Sequence, residues 1–286
     1  MNAKCSARSR RRILNLLTVL CALALMPLLF LAAAEEDEEK KGFDHSKWAD
    51  VLKEHVEDEW VDYAAIKKNT SQLGAYLADL AKADLRKLDR DEQIALYVNA
   101  YNAFTVKLIT EYYPDIESIR DIPDGIFSRK RWKDKRWVIG RRTYSLGEIE
   151  HDVLRSKFND PRVHYALNCA SVSCPPLWGE PYEGENLDEQ LDAAAKAFQI
   201  NPKGLRVNRA RRIVHLSRIY DWYRKDFEKA AGSVIRYVAR YAPRETAEFL
   251  VANEKDLKIR YMDYDWRLND VKNRPPEERE GPEKES

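Results

Sequence analysis

The stretch RDEQIALYVNAYNAFTVKLITEY, residues 90–112, decides the fold. Asp89 or Asp91 supplies a capping carboxylate at its start, and Pro114 stops it. Between them, Ile94, Leu96, Tyr97, Val98, Tyr101, Phe104, Val106, Leu108 and Ile109 go almost all the way round a helix. A surface helix shows one apolar stripe, so this pattern predicts a helix buried in the middle of a domain. Two amides, Asn99 and Asn102, sit three apart on it. Asn is a poor helix former, and a buried amide must find partners. The two amides therefore either tie down neighbouring loops or, with Tyr101, contact a substrate.

Working outward, an amphipathic pattern begins at Ser46, and helical spacing returns at Leu73, Tyr76, Leu77 and Leu80. Residues 136–144 (RWVIGRRTY) read as a hairpin turning at Gly140. Ser145 and Glu148 form a capping-box pair, which opens a helix through Ile149, Val153 and Leu154. Leu187 to Phe198 reads as a further helix. Residues 205–208 and 212–216 read as a strand pair, and 257–262 as a late strand. Helices are expected at 218–230, 232–241 and 244–253. These elements give an α+β fold, a single helix-rich domain over 45–270 with a small antiparallel sheet. The charged, proline-bearing stretch 271–286 has little to bury and reads as a disordered tail.

The first 34 residues differ from the rest. Lys4, Arg8, Arg10, Arg11 and Arg12 precede 22 uncharged residues, 13–34, and an acidic linker, 35–44, follows. A basic start, an apolar run and a small-residue stop at Ala32-Ala33-Ala34 describe a secretory signal peptide. The run is also long enough for an N-terminal membrane anchor, although Pro27 suits cleavage better. Both readings place the remainder outside the cytoplasm, in the periplasm or beyond the cell, and the only membrane contact expected is through residues 13–34. The chain has 49 basic and 48 acidic residues. Without the first 34 residues the acids are in excess, which excludes a nucleic-acid binder and leaves a small molecule or a peptide as the expected ligand.

Residues 160–177, DPRVHYALNCASVSCPPL, concentrate the reactive side chains. Asp160-Pro161 is a good helix start, whereas Val163, Tyr165 and Leu167 alternate as in a strand. His164 and Asn168, four apart, share a face on either reading. Three chemistries compete. Cys169 and Cys174, the two cysteines outside the leader, can form a disulfide in an oxidising compartment. Cys169, or failing it Cys174, can be a nucleophile with His164 as base and Asn168 or an acid such as Glu150 as orienter. A metal site from His164, Cys169 and Cys174 fits no standard zinc spacing, and neither metal nor cofactor is expected. Glu150 also stands near Arg155 in sequence, so a simple ion pair is the alternative use for it. Tyr264-Asp265-Trp266 reads as aromatic packing at the end of the domain.

Taken together, these motifs resemble a family known as a domain of unknown function, number 547. The resemblance rests on Tyr97-x-Asn99-Ala100-Tyr101-Asn102-Ala103, on Leu146-x-x-Ile149-Glu150-His151-x-x-Leu154-Arg155, and above all on the run from Asp160 to Pro175. Tyr223-x-x-Asp226-Phe227 and Tyr261-x-Asp263-Tyr264-Asp265-Trp266-x-Leu268-Asn269 complete it. It implies an exported bacterial envelope protein and brings no activity with it. A looser likeness to the papain or transglutaminase superfamily has one departure. Those enzymes carry the nucleophilic cysteine at the start of the central helix, where this helix has Asn99 and Asn102 and no cysteine.

Overall fold

In the computed structural model, residues 42–123 and 130–276 are described. The expected leader, residues 35–41 of the acidic linker and residues 277–286 of the charged tail lie outside them. Five helices lead to the centre and past it: α1 (Ser46–His55), α2 (Tyr63–Lys68), α3 (Ser71–Lys82), α4 (Arg90–Tyr112) and α5 (Lys130–Lys133). A two-stranded ladder, β1 (Val56–Glu57) and β2 (Trp60–Val61), separates α1 from α2.

α4 is the predicted central helix. Asp89 accepts from the backbone of Asp91 and Glu92, and Glu92 reaches back to the Asp89 amide, closing a capping box. Every residue from Ile94 to Val106 is buried. α2, α3, the later helix Leu187–Ile200 and the segment after the hairpin all pack against it. At ~1.5 Å per residue its 23 residues span about 35 Å.

The hairpin forms as read, from β3 (Trp137–Ile139) and β4 (Arg142–Tyr144). Gly140 and Arg141 both adopt positive φ, the mirror-image two-residue turn that matches strand twist. A Cβ at Gly140 would lie 2.9 Å from the Ala83 carbonyl, so the position needs glycine twice over. The Ser145–Glu148 box then opens a π-helix, Glu148–Phe158, which Asn159 ends in the left-handed conformation.

The chain continues through α6 (Leu187–Ile200), β5 (Leu205–Asn208), β6 (Ile213–Leu216), α7 (Ile219–Trp222), α8 (Arg224–Ala231), α9 (Val234–Tyr241), α10 (Arg244–Ala252) and β7 (Lys258–Tyr261). β5 and β6 pair antiparallel, but β7 joins β6 in parallel, so this sheet is mixed. The four helices between β6 and β7 supply the long connection that a parallel neighbour requires. The helix expected over 218–230 is broken at Tyr223 into α7 and α8.

The apolar interior has two parts. One surrounds α4; the other, built on α6, the mixed sheet and α8–α10, holds Phe198, Leu216, Phe227 and Tyr237. The turn Pro161–Tyr165 joins them, with Val163 in the first and Tyr165 in the second. The residue between, His164, is left facing the seam.

Candidate functional site

The densest motif forms neither a long helix nor a strand. Asp160 caps a single 3-10 turn, Pro161–Tyr165, with proline at its first position. Arg162 fixes that turn by forking onto Asp160 and reaching Asp192 on α6. The turn ends before Asn168, so His164 and Asn168 do not share a regular face, contrary to the spacing argument. An irregular loop then carries both cysteines.

Cys169 and Cys174 are joined in a disulfide, with Cα atoms 6.2 Å apart. Cys174 is buried and Cys169 part-exposed. The Cys174 sulfur accepts from the Cys169 amide at 2.9 Å and from the Tyr264 hydroxyl at 3.2 Å. Ala170, between the two, has φ +61°, a costly conformation for a residue with a Cβ. Surrounding bonds enforce it. Asn168 accepts from the Ala170 amide at 2.8 Å and donates to the Pro175 carbonyl at 2.8 Å. A terminal strap, residues 265–270, runs alongside, with Ser171 bridged to Leu268 and Val172 bonded to Arg267.

The two amides of α4 bind backbone. Asn102 donates to the Ala166 carbonyl at 2.9 Å and accepts from the Asn168 amide at 2.9 Å. Asn99 grips Tyr182 in the same two-point way, at 2.7 and 3.0 Å. Both are almost fully buried. Their position on the central helix makes α4 the scaffold from which the cysteine loop hangs.

His164 Nε2 lies 2.9 Å from Asp226 Oδ2. A carboxylate accepts, so Nε2 carries the proton and Nδ1 is the free base, with no hydrogen-bond partner among the described residues. Tyr223 stacks on the ring, centroids 4.0 Å apart. Asp226 also accepts two bonds from Arg155, at 2.7 and 3.2 Å. Burial lowers the His164 pKa and outweighs the pull of Asp226, so the imidazole is neutral at neutral pH. Burial disfavours the Asp226 charge, but the bonds from His164 and Arg155 outweigh it and hold the carboxyl below the usual range.

His164 is thus oriented by Asp226, not by Asn168, whose amide is engaged with the loop, nor by Glu150. Glu150 accepts from the hydroxyls of Tyr101, at 3.2 Å, and Tyr223. It forms no ion pair with Arg155, which is turned to Asp226.

His164, both cysteines, Tyr101 and Glu150 line one cleft of about 520 Å³. Asn99, Asn102 and Asn168 stand behind it. Trp222, Tyr223, Tyr264 and Trp266 make an aromatic wall that the sequence reading did not assign to a site. Asp226 was overlooked in the same way. Asp226, Tyr223, Tyr264 and Trp266 lie in the two terminal motifs quoted above and Trp222 just before the first, and the break at Tyr223 is what turns that motif toward His164.

Residues 85–198 match the family model described as "Protein of unknown function, DUF547". The resemblance expected from the motifs is borne out over that stretch, which contains α4, the π-helix and the disulfide loop. No curated protein and no solved structure matches the chain. No helix among the described residues is long and apolar enough to cross a membrane.

Proposed function

We propose that this chain is an exported envelope protein whose cleft carries out thiol-dependent acyl transfer or amide hydrolysis once the Cys169–Cys174 bond is opened. One observation carries the reading. His164 is held by Asp226 through one nitrogen, the other has no hydrogen-bond partner among the described residues, and His164 and both cysteines line the same cleft.

A dithiol reductant would open the disulfide, becoming a disulfide itself and leaving two thiols here. Cys169, the more exposed of the pair, then passes its proton to His164. Its thiolate attacks a carbonyl carbon, forming a C–S bond; the C–N bond breaks, and the amine leaves with the proton from His164. Water or a second nucleophile releases the acyl group. Cys174 is the runner-up nucleophile. Export fits the basic and apolar leader and the oxidising compartment in which such a disulfide persists. A retained anchor at residues 13–34 would tether the same domain.

The test is acylation by p-nitrophenyl acetate, followed by peptide mass mapping. We expect an adduct on Cys169 only in the reduced chain, lost in His164→Ala. An adduct that forms equally well in His164→Ala would sink this reading.

A second reading has its own support. The Cys174 sulfur is buried among donors and the loop is tied at both ends by Asn102 and Asn168, as in a non-catalytic binding or scaffold module stapled by its disulfide. On that reading, the reduced chain forms no adduct with the probe.

A further inference from the structure

Charge is unevenly distributed around the cleft. Asp226 is matched by Arg155, and Glu148 by Lys135. Among the described residues, no lysine or arginine pairs with Glu150. Its hydrogen bonds come from the neutral hydroxyls of Tyr101 and Tyr223, and beyond them His151 Nδ1 lies 3.8 Å away. That same nitrogen faces an Arg155 N–H at 3.0 Å. An arginine can only donate, so Nδ1 is the acceptor of that bond. Asp152 adds a further acid to the lining, and Lys133 is its one Lys or Arg side chain.

The wall is equally uneven in chemistry. Trp222, Tyr264 and Trp266 pack together with ring centroids 4.6 to 5.7 Å apart. Trp222 is 46% exposed, unusual for so large an apolar side chain. One of these rings already attracts a cation, since the Arg120 guanidinium lies 5.3 Å from the Trp266 ring. Aromatic faces present negative potential, and together with a carboxylate that no described lysine or arginine contacts directly they select positive charge.

We infer that the cleft binds a ligand bearing an alkylammonium group, seated between Glu150 and the Trp222–Tyr264–Trp266 wall. The inference rests on the reading above only in taking this cleft as the place where substrate sits. It narrows the substrate class to acyl donors or acceptors that carry a cationic amine. Neutral and anionic ligands lack the charge that Glu150 would meet.

The experiment is a calorimetric titration of the full chain with choline and with 3,3-dimethylbutan-1-ol, which has the same shape without the charge. We expect choline to bind at least tenfold more tightly. Glu150→Gln, which keeps the shape and one of the two oxygens that accept from Tyr101 and Tyr223, should lower choline affinity about tenfold and leave the alcohol unchanged. Trp222→Ala, a change at an exposed position, should lower it about threefold or more. Equal binding of the two compounds, binding of neither, or full choline affinity in a folded Glu150→Gln would each overturn the inference. Because the charge comparison uses the unaltered chain, a variant that fails to fold does not protect the proposal. Choline selectivity without acylation of Cys169 would keep this inference and remove the catalytic reading; acylation without selectivity would do the reverse.

Discussion

Opening the Cys169–Cys174 bond tests how the loop is held. The bond closes a loop with a sequence separation of 5. For so short a loop the chain-entropy relation gives about 2 kcal/mol of stabilisation at 25 °C. In a domain of this size each kcal/mol moves the midpoint by about 2–4 °C, so reduction should lower it by about 4–8 °C. The two alanine variants should differ. Cys169→Ala removes the cross-link and the longer contacts of a part-exposed sulfur with Ser171 and Tyr264, and should come close to the reduced chain. Cys174→Ala also leaves the Cys169 amide without its acceptor in a buried place and takes from the Tyr264 hydroxyl the nearer of its two sulfurs. That adds about 1 kcal/mol or more. Scanning calorimetry with and without a phosphine reductant, with alkylation to verify the thiol state, gives all three numbers. An unchanged midpoint in Cys174→Ala would refute the reasoning, as would a larger loss in Cys169→Ala than in Cys174→Ala.

Two further predictions follow from the hydrogen bonds. The lowered His164 pKa means that the unfolded state takes up a proton before the folded one does, so this group's stabilisation is present at neutral pH and lost as pH falls through about 6.5 and below. Any His164-dependent rate should likewise keep its acid limb below the ordinary histidine range; a midpoint at pH 7 or above, read by NMR titration of the ring or by a pH–rate profile, would contradict the burial argument. Asn102→Ala should cost about 2–4 kcal/mol in urea unfolding, because it strands the Ala166 carbonyl and the Asn168 amide away from water. A loss under 1 kcal/mol would show that the cysteine loop does not depend on α4.

The buried helix was legible because its apolar residues face every direction between a capping carboxylate and a proline, and nothing but a central position satisfies that. The β3–β4 hairpin and the Ser145 box were legible for a similarly local reason, since turn and cap chemistry are written in adjacent residues. His164 with the two cysteines was legible as a cluster, but the orienting acid was not. Asp226 is 62 residues further on, and only the break at Tyr223, which no proline or glycine marks, brings it to the imidazole. The parallel pairing of β7 was hidden for the same reason, because periodicity gives a strand's faces and not its neighbour. Tyr264 and Trp266 read as ordinary terminal packing, and what gives them a cleft to line is the path of the strap beside the disulfide loop.

That strap has a consequence for the order in which the molecule is made. Leu268 and Asn269 bond to Glu117 and to Val61 and Tyr63, and they close over Ala170 and Ser171. The last part of the domain to leave the ribosome is therefore what joins its first hairpin to its reactive loop. A nascent chain that stops short of residue 264 holds α4, the hairpin, both cysteines, Trp222 and Tyr223, but lacks Tyr264, Trp266 and the strap. The cleft thus cannot be assembled on the ribosome stepwise from the amino end. It is completed only once residues 264–270 are available to fold, so the disulfide loop stays uncovered until then.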